Sequence, residues 1–155
     1  MREWINDRFG TNFSEVDLSS VKDFSLIWNV FENVVCQNNF SIARTEEVIK
    51  NSLIDSTEFN SYLEYFKNRY VSNGTFTNRF QYLHFRNNDR RNLVEDVLLG
   101  NNTKNNDIIL ALLIIVYRYR NNLFHGIKRI QEIDKQRENF ENANGVLKTL
   151  LNHFQ

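Results

Sequence analysis

The strongest constraint on the fold is a ten-residue apolar run, IILALLIIVY at residues 108–117, which passes directly into RYRNNLFH. A helix that is apolar nearly all round has no face to offer water, so this segment should be the central helix of the fold. The run falls well short of the ~20 residues that span a bilayer, and the first residues, MREWINDRFG, carry no apolar segment of the signal-peptide type. These features predict a soluble, cytoplasmic protein without a membrane partner.

Composition points the same way. There is no proline and there are only five glycines among 155 residues, which removes the commonest helix interruptions and disfavours a turn-rich β-sandwich. A hydrophobic content of 41% supplies one core, so residues 1–155 read as a single helical domain. Lys+Arg and Asp+Glu number 19 each, so any nucleic-acid contact must be local and cannot rest on overall charge. The lone cysteine, Cys36, lies beside Val34 and Val35, and no His/Asp/Glu set stands at ligand spacing. Neither a disulfide framework nor a bound metal or cofactor is expected.

Periodicity divides the chain. Residues 19–37 place Phe24, Ile27, Trp28, Phe31, Val34 and Val35 at three- and four-residue steps, the mark of a long first helix. A shorter helix is predicted over residues 43–53. Ser56 or Thr57 then caps a helix carrying Phe59, Tyr62, Leu63, Phe66 and Tyr70, which Asn73-Gly74 closes. Residues 77–99 form one helix or two, divided at the polar island of residues 87–91. The loop GNNTKNND at residues 100–107 ends in Asp107, placed to cap the central helix. Gly126 should end that helix, and a last helix runs from Ile127 toward Phe154. The sum is an all-α, up-and-down bundle of four to five main helices.

The candidate chemistry lies at Arg120 and His125. Arg-x4-His spacing is common by chance, and Arg79 and His84 repeat it within RFQYLH, so context must choose between them. Arg120 leaves the core at a helix end, where an arginine can grip a phosphate with two aligned donors. Asn121, one turn before His125, can orient the imidazole. Arg118, Asn122, Lys128 and Arg129 stand close enough to contribute RNA contacts. Neither His84 nor His153 has a comparable polar neighbourhood, and both read as ordinary structural histidines. Glu32, within the aromatic stripe, either pairs with an arginine near the site or lies on a solvated helix flank.

Cleaving RNA without metal requires deprotonation of the 2′-OH, stabilisation of the phosphorane-like charge and protonation of the leaving oxygen. Histidine suits the proton transfers and arginine the charge. Helical geometry adds a condition, because five residues at about 100° each set Arg120 and His125 roughly 140° apart. The helix must loosen at Asn121-Asn122, the arginine must wrap round, or the site must draw on two chains.

The segment YRYRNNLFHG, residues 117–126, resembles the Arg-x4-6-His motif of HEPN domains in the form where asparagine follows the arginine. The early FSLIWNVFENVV helix, residues 24–35, resembles the N-terminal helix of that family, with Glu32 at its acidic position. The resemblance implies a HEPN-like bundle that dimerises so that both motifs line one cleft, and a metal-independent endoribonuclease of toxin-antitoxin or antiviral defence systems. It assigns Arg120 and His125 to catalysis, with Asn121 and Glu32 in support, RNA as substrate, and an antitoxin or other defence protein as a possible partner. The competing expectation is a non-catalytic helical interaction or nucleotide-binding module, as some members of that family are.

Overall fold

The protein is described by a computed structural model covering residues 1–125 and 129–154. It is mostly helical, and the described residues form seven α-helices. They are α1 (Arg2–Phe9), α2 (Glu15–Val34), α3 (Ile42–Lys50), α4 (Asn60–Tyr70), α5 (Arg91–Leu99), α6 (Asn105–Phe124) and α7 (Arg137–Leu151). Four of them, α2, α4, α6 and α7, exceed ten residues. Among the described residues no helix is long and apolar enough to cross a membrane.

The apolar run lies where its composition requires. Residues 109–116 of α6 are all buried, and α6 packs against α3, α4, α5 and α7. Helix α2 lies along α7, with Phe24, Trp28 and Phe31 facing inward and Phe24 meeting Phe140 at 5.1 Å between ring centroids. A polar link also crosses this contact, from the buried Asn144 amide to the Ser20 carbonyl at 3.0 Å. At the start of α2 the Ser14 hydroxyl accepts from the Asp17 amide and the Asp17 carboxylate accepts from the Ser14 amide, a reciprocal cap that holds the first turn. Helix α7 packs on α4 at Gly145, where a methyl group would overlap the edge of the Tyr62 ring.

Several local expectations need correction. Asn73 and Gly74 both adopt left-handed backbone (φ 51° and 73°) and turn a two-stranded hairpin, β1 (Val71–Ser72) with β2 (Thr75–Phe76), after α4 has ended. Asn-Gly favours this turn because both positions need positive φ, and its twist matches paired strands. Asp55, not Ser56 or Thr57, supplies the cap of the 3-10 turn leading into α4, accepting from the Thr57 amide. Asp107 sits inside the first turn of α6, where it accepts from the Asn102 side chain. Asn105 opens that helix and ties it to the chain before α4 by bonds to Ser56 and Ile54. Residues 77–99 hold a 3-10 turn, Phe80–Leu83, and only then a helix, α5. The last helix starts at Arg137, after two 3-10 turns, Ile130–Glu132 and Asp134–Gln136. Gly126, expected to end the central helix, and Ile127, expected to open the last one, lie outside the described residues.

Candidate functional site

Side chains at the carboxyl end of α6 radiate in different directions, and their surroundings assign them different work. Arg118 turns into the protein, 1% exposed, where its Nη1 donates to Asp89 at 2.9 Å and its Nε to the Leu83 carbonyl at 3.0 Å. Burial pulls its pKa down, and the Asp89 carboxylate opposes that. Asn122, fully buried, donates to the carbonyls of Tyr82 and Leu83. The expectation that Arg118 and Asn122 contact RNA is therefore corrected: both pin the 80–89 segment to α6, and neither reaches solvent. Lys128, also expected at an RNA surface, lies outside the described residues.

Arg120 leaves the core on another side. Its guanidinium is half-buried, 5.9 Å from the Trp28 ring and 5.3 Å from the Phe124 ring. Two aromatic faces thus hold the cation by ring electrostatics and contact area. Its Nη1 donates to the Asn121 side-chain oxygen at 3.1 Å, while its buried Nε has no partner among the described residues. The guanidinium is thus held by two rings and one amide oxygen, with its buried Nε left unsatisfied.

His125 ends α6 with its imidazole exposed. Its backbone amide donates to the Asn121 carbonyl at 3.0 Å, whereas the Asn121 side-chain oxygen is taken by Arg120. The amide of Asn121 thus orients the arginine, and its tie to the histidine runs through the backbone. Glu32 accepts from the Trp28 indole N–H at 3.3 Å and forms no ion pair with an arginine among the described residues. Its link to Arg120 is indirect, through the indole on which the guanidinium rests. From sequence Trp28 reads only as part of the apolar stripe of α2, four residues before Glu32 on the same face, and nothing in the sequence places Trp28 or Phe124 against Arg120.

A second feature lies on the other side of the same helix end. Tyr119 projects into a cavity of about 660 Å³ that Arg69, Arg79, Tyr82, His84 and Arg129 also line. The repeated Arg-x4-His pair, Arg79 and His84, is therefore at a cavity wall, with His84 in left-handed backbone at φ 52°. Arg129, expected near His125 as an RNA contact, is exposed and lines this cavity. His153 instead pairs with Glu58 at 3.0 Å and ties the C-terminal turn to the approach of α4.

Among the described residues no three His, Cys, Asp or Glu side chains converge as a metal site would require. No family model matches the chain, and no curated protein or solved structure matches it.

Proposed function

We propose that the protein is a metal-independent endoribonuclease with a HEPN-like fold, acting as a homodimer in the cytoplasm as a toxin or antiviral defence effector. One observation carries this reading. At the surface end of the central helix, a guanidinium braced by Trp28, Phe124 and Asn121 stands five residues from a solvent-exposed imidazole. Arg120 holds the scissile phosphate, and its fixed N–H groups meet the charge that builds on the equatorial oxygens. His125 moves protons, taking one from the 2′-OH or giving one to the departing 5′-oxygen. Because α6 stays helical through Phe124, Arg120 and His125 emerge on different sides of it. A second copy facing the first across a twofold axis brings the two groups together in one cleft. An antitoxin or other defence partner that covers this helix end would silence it.

The aromatic clamp on Arg120 also fits a second reading, a non-catalytic interaction module in which the arginine closes the helix end. Chemistry separates the two. An RNA cut by 2′-OH attack leaves a cyclic phosphate in the presence of EDTA, and a single 2′-deoxy substitution at the cut position stops cleavage. If the purified protein leaves cellular RNA intact, or cuts the 2′-deoxy substrate equally well, the nuclease proposal fails.

A further inference from the structure

We infer that the cavity between the end of α4, the 79–84 turn and residues 129–139 binds a diphosphate anion, free or as the diphosphate group of a small molecule.

Charge is the first argument. Arg69, Arg79, Arg129 and Lys135 line the cavity against one carboxylate, Glu132, and none of the four cations has an ion-pair partner within 4.0 Å among the described residues. The chain as a whole carries no net charge, and other arginines at its surface, such as Arg90, Arg91 and Arg137, are paired. Gathering like charges around one hollow costs Coulomb energy that a bound anion reverses. Arginine forks also match the oxygen spacing of phosphate groups.

Donor balance is the second. The hydroxyls of Tyr70 and Tyr119 meet 2.5 Å apart at the cavity wall, so one of their protons makes the bond between them and the other has no acceptor among the described residues. Burial pushes the Tyr70 hydroxyl up to about 12 and that of Tyr119 well above its usual range, so both remain donors at neutral pH. Beside them the buried Arg69 Nε has no hydrogen-bond partner. The wall therefore holds an excess of buried donors, which are costly when unsatisfied and which phosphate oxygens would satisfy.

Size is the third. A volume of about 660 Å³ exceeds what one phosphate fills and lies within the range of small-molecule sites. Adjacent residues of a helix diverge by about 100°, so the cavity reached by Tyr119 opens on a different side of α6 from Arg120. The inference does not depend on the nuclease proposal.

Titration calorimetry of the full chain with inorganic diphosphate tests it, with orthophosphate and sulfate as comparison anions. Diphosphate is expected to bind more tightly than either. The Arg79→Gln/Arg129→Gln double variant, altered only at exposed side chains, should lose about tenfold or more in affinity. Arg120→Ala should leave binding unchanged. The inference is overturned if diphosphate does not bind, if sulfate binds as well, or if the double variant binds normally. It is overturned equally if single-stranded RNA, and not diphosphate, is the ligand that the double variant loses.

Discussion

Arg118 Nη1 and Asp89 Oδ2 lie 2.9 Å apart inside the protein, with Arg118 1% and Asp89 5% exposed, while Arg120 emerges two residues further along α6. Two residues turn a helix by about 200°, so the register of α6 sends one arginine into the fold and the other to the surface. The inner arginine organises the scaffold. The outer one is left half-buried at the surface, between the rings of Trp28 and Phe124.

Removing the inner partner should be costly. Asp89→Ala leaves a buried guanidinium without its counter-charge and is expected to lower stability by about 3–5 kcal/mol in urea unfolding. Asp89 also accepts from the Arg86 amide at 2.7 Å, so the loop before α5 should loosen at the same time. A loss below about 1 kcal/mol would show that the pair is not the anchor described.

Gly145→Ala should destabilise the protein even though alanine favours helix. The new methyl group would overlap the edge of the Tyr62 ring, and displacing that half-buried side chain costs about 1–3 kcal/mol against a propensity gain of under about 1 kcal/mol. Adding Tyr62→Ala to Gly145→Ala should relieve the clash, which thermal melts of the single and double variants would reveal as non-additivity.

Cys36 is fully buried, and burial pushes its thiol up from 9.0 to about 11. At pH 8 it should resist alkylation in the native protein and react once guanidinium unfolds the chain. The thiol ionises more readily in the unfolded chain, so stability from keeping it neutral is complete below pH 9 and falls as pH rises toward 11. The Tyr70 hydroxyl, raised from 10.0 to about 12, adds a loss over that higher window. Urea midpoints measured from pH 8 to pH 11 should decline, and a flat profile would contradict both burial effects.

A site shared between two copies predicts complementation. Chains carrying Arg120→Ala and chains carrying His125→Ala, each inactive alone, should regain cleavage when unfolded together and refolded as a mixture. Mixed dimers then hold one site with both groups intact. Continued inactivity of a mixture shown to form hybrids would place the whole site within one chain or nowhere.

Much of the scaffold was legible because burial writes a periodic signal. The stripe of α2 repeats with the helical period, and the apolar run of α6 is longer than a buried strand usually is. The β1–β2 hairpin escaped because Asn73-Gly74 follows a helical stripe, where a left-handed pair reads as a helix stop as readily as a turn. Asp89 escaped for another reason. It lies in a polar island that reads as solvent-exposed loop, and its inward turn depends on Arg118, 29 residues away. The same holds for the basic cavity, whose cations come from positions 69, 79, 129 and 135. No local pattern joins them, and the fold alone brings them to one place.

One cleavage assay decides whether Arg120 and His125 cut RNA. Wild-type protein, Arg120→Ala and His125→Ala, each confirmed as folded by circular dichroism, are incubated with total RNA in EDTA. The wild type should cleave, and either variant should lose at least about 100-fold, the scale of a missing proton-transfer or charge-stabilising group. Cleavage of equal rate in all three proteins, or in none, would contradict the nuclease proposal.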